Sequence, residues 1–143
     1  MDKLTENQLL AYLKSQSRNK IVLYSDTPMD FDAIDLGCIL AQAVFNLKDE
    51  NKLPMKVSAE LDAILNAAIV DHSKYGKMLA IANLGILLES GLKQDINRLF
   101  EKYSNNNVLF VKWEGETDYE NLYFLSKENG IKININNLSH ISI

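Results

Sequence analysis

The sequence has 143 residues, 47% of them hydrophobic and 24% charged, proportions ordinary for one globular domain. A chain of this length buries roughly 68–70% of its unfolded surface and needs neither disulfide nor metal to hold a core. Fifteen Lys and Arg against nineteen Asp and Glu give a formal net charge of −4, which argues against a nucleic-acid binder with a basic face.

Cys38 is the only cysteine. No intrachain disulfide can form, and a reducing compartment, the cytoplasm, is expected. The first residues carry charges of both signs with no apolar run behind them, so no secretory signal is expected. The longest apolar run, 78–88, is interrupted by Asn83 and is too short to span a bilayer.

Thr5-Glu6-Asn7-Gln8 has the capping-box pattern, and Leu9, Leu10 and Leu13 follow at helical spacing, predicting a helix to about residue 17. Residues 20–24, Lys-Ile-Val-Leu-Tyr, read as a buried strand. A polar loop over 25–32 contains Pro28, and a long helix is predicted over 32–47. Its stripe of Ile34, Gly37, Cys38, Ala41 and Phe45 is widened by Leu36, Ile39, Leu40 and Val44, so burial on more than one side is expected. Residues 55–57 read as a short strand, and Ser58 as the cap of a helix over 59–70. A second buried strand begins near 77, turning near Asn83. An amphipathic helix over 95–103 turns Ile96, Leu99 and Phe100 inward, and 108–113 is the third strong strand. The C-terminal third turns to β, with apolar runs at 131–135 and 138–143. Helices alternating with apolar strands predict one α/β domain over 1–143, a mostly parallel sheet with short antiparallel C-terminal strands.

In such a sheet the loop after the first strand lies at the carboxyl edge, where open α/β sheets hold ligands. A phosphate-binding loop there needs glycines, a Lys and a Ser or Thr for magnesium. The sequence instead reads Ser25-Asp26-Thr27-Pro28-Met29-Asp30-Phe31-Asp32-Ala33. It has no Gly and no Lys, and its carboxylates would repel a triphosphate. Carboxylates beside a helix start cap free amides and meet the dipole for about 0.3–1 kcal/mol each. Asp26, Asp30 and Asp32 also form a candidate hard-cation site for magnesium or calcium. The alternative function on this reading is a small metal-dependent hydrolase or metal-binding protein using loop 26–32.

The remaining candidates are weaker. His72 follows Asp71 at an expected helix end, where a cation favours the dipole. His140, near Ser139 and Ser142, has no carboxylate partner close in sequence. Cys38 reads as a small core residue. Trp113, Tyr119, Tyr123 and Phe124 gather around the turn at 114–118, either packing the sheet edge or forming a partner surface. The apolar terminal strand at 138–143 invites pairing with another chain.

Two stretches carry a family resemblance: Ile81-Ala82-Asn83-Leu84-Gly85-Ile86-Leu87-Leu88-Glu89, then Leu92-Lys93-Gln94-Asp95-Ile96-Asn97-Arg98-Leu99-Phe100. Ser104-Asn105-Asn106-Asn107-Val108 and Trp113-Glu114-Gly115 follow. Together they resemble the small P-loop ATPase subunit of BREX phage-exclusion systems. The resemblance implies a three-layer P-loop-NTPase-like sheet with, in order, a Walker B strand, a Leu-Lys-x-Asp-x-x-Arg-Leu helix start, a polar turn, a sensor-like strand and a Trp-Asn-Gly end. The departures remove its chemistry. The metal-binding Asp of the Walker B strand falls on Ala82, the next acidic position on Gly85, and the arginines of the turn on Asn105 and Asn107. A non-enzymatic scaffold or regulatory protein is expected, with no cofactor and no ATP binding. Protein contacts or self-association are its expected partners, with phage defence as the implied setting and neither membrane nor nucleic acid as a direct partner.

Overall fold

A computed structural model describes residues 6–47, 51–118, 120–124 and 131–143. The capping-box Thr5 and the aromatic candidate Tyr119 lie outside the described residues. Helix α1 (Glu6–Lys14) leads into strand β1 (Ile21–Tyr24). A loop carries the chain to β2 (Ile34–Asp35), followed by α2 (Leu36–Leu47) and α3 (Leu53–Ala68). Next come β3 (Val70–His72) and β4 (Gly76–Ala82), then 3-10 turns at Gly85–Leu88 and Ser90–Leu92. Helix α4 (Ile96–Ser104) and strand β5 (Val108–Lys112) precede the short strands β6 (Glu116–Thr117), β7 (Asn121–Tyr123), β8 (Lys132–Asn134) and β9 (His140–Ser142).

The main sheet has the order β2-β4-β5-β1-β9, with every neighbouring pair parallel and β3 added antiparallel to β4. A second, antiparallel sheet comprises β6, β7 and β8. Side chains alternate across the main sheet with the period of two that a strand imposes. Ile21, Leu23, Leu79, Ile81, Leu109 and Val111 share one cluster with buried residues of α2, α3 and α4. Val22, Tyr24, Met78, Ala80, Val108 and Phe110 meet Leu9 of α1 and the loop residues Met29, Phe31 and Ala33 on the other face. Three helices thus cover one face, and one helix with an irregular segment covers the other. Among the described residues no helix is long and apolar enough to cross a membrane.

Four sequence expectations change. The helix predicted from residue 32 starts at Leu36, because Ile34 and Asp35 pair with Ile81 and Ala82. Its apolar circumference is not buried all round: Leu36, Gly37 and Leu40 are buried, while Cys38, Ile39, Ala41 and Phe45 are exposed. Residues 55–57 belong to α3, where Pro54 occupies the first turn, as suits its missing N–H. The terminal strand β9 is parallel to β1 in the main sheet, with antiparallel pairing confined to β6, β7 and β8 at this end of the chain.

Candidate functional site

The ends of the parallel strands form one row: Tyr24 of β1 is opposite Lys112 of β5, which is opposite Ala82 of β4, which is opposite Asp35 of β2. After β1 the chain packs Met29, Phe31 and Ala33 on one face. After β5 it packs Trp113, Leu122 and Ile133 on the other. Neighbouring strands whose connections leave over opposite faces create a crevice at their carboxyl ends. This is the topological place for a ligand.

The crevice is small. One cavity of 140 Å³ lies among Tyr24, Ser25, Trp113, Thr117 and Ser142, and another of 80 Å³ lies among Asn83, Lys112, Trp113, Glu114 and Phe124. Both fall below the roughly 300–1,000 Å³ of small-molecule pockets. Among the described residues Lys112 is the only cation lining either one, and Glu114 shares its cavity.

Close packing occupies the space. A Cβ on Gly115 would stand 2.1 Å from the carbonyl oxygen of Tyr123 and 3.0 Å from Trp113 Nε1. Trp113 is 6% exposed and its indole N–H donates to the Glu116 carbonyl at 3.2 Å. A Cβ on Gly85 would meet the Phe124 ring at 2.9 Å. The Tyr123 hydroxyl donates to Asp118 Oδ2 at 2.7 Å. Trp113, Tyr123 and Phe124 are therefore brought together as half-buried and buried packing around the turn, and Trp113 is not a surface aromatic.

At the end of β4 the position that the resemblance gives to a metal-binding Asp is Ala82. The next residue, Asn83, has φ 60, in the left-handed region that Asn tolerates. Its amide donates to Asp35 Oδ1 at 2.8 Å, and the same oxygen caps α2 by accepting from the Cys38 amide at 2.9 Å. The Cys38 bond, then the Asn83 bond, hold the Asp35 carboxyl below its usual range. A Cβ on Gly37 would lie 2.5 Å from Asn83 Nδ2, so strand end and helix start touch. Asn105 and Asn107 precede β5 and lie at the amino edge, at the opposite end of the sheet from this crevice.

The acidic loop is a clasp. Asp30 accepts from His72 Nε2 at 3.2 Å, while His72 Nδ1 accepts from the amides of Lys74 at 3.0 Å and Tyr75 at 3.3 Å. Those two donors assign the ring proton to Nε2. His72 thus belongs to the β3–β4 hairpin and not to a helix end. Phe31 lies 4.7 Å from the Phe110 ring and near the rings of Tyr24, Tyr75 and His72. Asp32 helps raise the Tyr24 hydroxyl pKa, after burial of that hydroxyl, and Asp26 is exposed. Among the described residues no group of three or more His, Cys, Asp or Glu is arranged to hold a metal ion, so Asp26, Asp30 and Asp32 do not converge. His140 Nδ1 bonds the Leu138 carbonyl at 2.8 Å, and Cys38 is exposed.

Sequence reasoning missed two larger cavities. One of 360 Å³ lies between α1, the loop at Thr27 to Asp30 and Tyr75. The other, 230 Å³, lies between α3 and α4 and is lined by Asp62, Lys93, Gln94, Arg98, Lys102 and Tyr103 among others. Its signal in the sequence is the spacing of Arg98 and Lys102, one turn apart on a helix. Comparison with known proteins finds no matching family model, curated protein or solved structure.

Proposed function

We propose that this chain is a non-enzymatic scaffold or regulatory protein. In this reading its α/β sheet is P-loop-NTPase-like, its nucleotide chemistry has been lost, and it acts by protein contacts in bacterial phage defence. The carrying observation is the carboxyl-edge crevice, which is too small for a nucleotide and, among the described residues, is lined by one cation beside one carboxylate. A triphosphate needs several donors and cations converging on it. The loop after β1 supplies Pro28, three carboxylates and no glycine.

Element order supports the ancestry. The stretches carrying the resemblance fall on β4, then a helix start capped by Asp95, then a polar turn, then β5 and Trp113. In this reading β1, β5 and β4 are the strands of the phosphate loop, the sensor and Walker B, and they lie side by side and parallel. The exposed apolar face of α2, with Ile39 and Phe45, offers a contact surface.

Trp113 is the single tryptophan and lines both edge cavities, so its fluorescence reports their occupancy. Titration with ATP and Mg²⁺ is expected to leave that emission unchanged. A saturable change would contradict the proposal.

A further inference from the structure

The groove between α3 and α4 has a charge balance unlike that of the whole chain. Lys93, Arg98 and Lys102 line it against Asp62 and Asp95, in a protein of net charge −4. Three of these five charges are already committed. Asp62 Oδ1 accepts from Lys102 at 2.9 Å and from the Tyr103 hydroxyl at 2.6 Å. Asp95 closes the first turn of α4 by accepting from the Arg98 backbone amide at 3.1 Å. The neutral pair is committed as well. Ser58 donates to Gln94 at 3.0 Å, and Gln94 donates to the carbonyls of Pro54 at 3.2 Å and Leu92 at 2.8 Å.

What remains is the guanidinium of Arg98 and the ammonium of Lys93. Among the described residues neither has an ion-pair partner. Lys93 also holds a left-handed backbone, φ 50, which costs an L-residue about 1–2 kcal/mol and a glycine nothing comparable. That conformation ends the 3-10 turn Ser90–Leu92, where the Lys93 amide donates to the Ser90 carbonyl at 3.2 Å.

We propose that this groove binds a small ligand through an oxyanion, phosphoryl or carboxylate, held by Arg98 and Lys93. The planar fork of Arg98 presents paired donors that match either oxyanion, and Lys93 adds a mobile point charge. Leu61 and Leu99 supply apolar lining for the body of the ligand. The volume of 230 Å³ is itself below the roughly 300–1,000 Å³ of small-molecule pockets, which restricts the ligand to a small anion well short of a nucleotide. The groove lies among the helices and shares no lining residue with the carboxyl-edge crevice, so this inference does not rest on the loss of nucleotide chemistry.

The test is an amide-resolved NMR titration of the full chain with sodium phosphate and, separately, sodium acetate, each against sodium chloride at matched ionic strength. Saturable shifts are expected at the backbone amides of residues 93–99, and the anion that saturates identifies the oxyanion. R98Q should weaken binding about tenfold, the loss of one charge-assisted pair. K93G should weaken binding while raising the melting temperature, which separates ligand contact from fold. K112Q, at the carboxyl edge, should leave the groove titration as it was. Shifts that merely follow chloride, or R98Q binding as tightly as the parent, would overturn the proposal. Trp113 fluorescence reads the crevice and the amide shifts read the groove, so the two readings fail separately.

Discussion

At the scale of single residues, glycine positions measure how tightly the carboxyl edge is filled. The atom nearest a Cβ on Gly115 is the Tyr123 carbonyl oxygen, at 2.1 Å, and backbone cannot rotate aside as a side-chain tip can. G115A should therefore separate β6 from β7 and cost about 1–3 kcal/mol or more, as overpacking does. It should also move the emission of Trp113, whose indole lies 3.0 Å from the same Cβ position. G76A meets nothing within 4 Å but keeps a φ of +75, so its cost is backbone strain alone, about 1–2 kcal/mol. G91A meets neither obstacle and should be close to neutral or slightly stabilising. Urea denaturation of the three variants checks the ranking. A neutral G115A would mean that the crevice has room to accept a ligand.

Among the elements, the segment between β1 and β2 decides what the sheet can do. It covers a face of the sheet without a helix, held by Phe31 against Phe110 and by the Asp30–His72 pair. Magnitudes rank these two anchors. F31A removes a half-buried ring and should cost about 2–3 kcal/mol, below the roughly 3–5 of a fully buried one. D30N should cost less than about 1 kcal/mol, because Asp30 is 60% exposed and such pairs contribute little. Hydrogen exchange in β3 and β4 should accelerate in F31A and change little in D30N; the reverse ranking would make the clasp electrostatic. The sequence shows why this loop resists reading. Its carboxylates are conspicuous, but the residues that position it, Met29, Phe31 and Ala33, alternate with them and match no motif. Strands β1, β4 and β5 were legible because a buried parallel strand is a continuous apolar run. Helix α4 was legible from its period and its Asp95 cap. The two residues of β2 carry no pattern of their own, and β3 hides behind the end of α3. Cys38 was misread because α2 is apolar all round, so composition alone cannot say which side faces the sheet. Of the α3–α4 groove only the Arg98–Lys102 spacing was legible, since Asp62 is distant in sequence and meets Lys102 only through helix packing.

The whole molecule should be most stable between about pH 5 and 9, with a separate cause at each limit. On the acid side, Asp35 and Asp62 have depressed carboxyls. For Asp62, burial acts to raise it but is outweighed by the Tyr103 hydroxyl and Lys102. A depressed folded value means stability present above the ordinary Asp value of about 3.9, lost as pH falls through and below it. On the alkaline side, Tyr12, Tyr24, Tyr75, Tyr103 and Tyr123 are all raised. Tyr103 is shifted furthest, first by burial, then by its bond to Asp62 and the charge of that carboxylate. A raised tyrosine contributes stability that is complete below the ordinary value of about 10 and is lost as pH rises past it. Tyr103 and Asp62 therefore tie α4 to α3 at both limits through one short hydrogen bond of 2.6 Å. Y103F lowers stability at neutral pH by removing that bond, and it should flatten both limbs, the acid one through Asp62 and the alkaline one through the missing hydroxyl. Melting temperatures from pH 2.5 to 11 provide the check. An alkaline limb as steep in Y103F as in the parent would assign that limit to the other four tyrosines, and the α3–α4 junction would then not be its weak point.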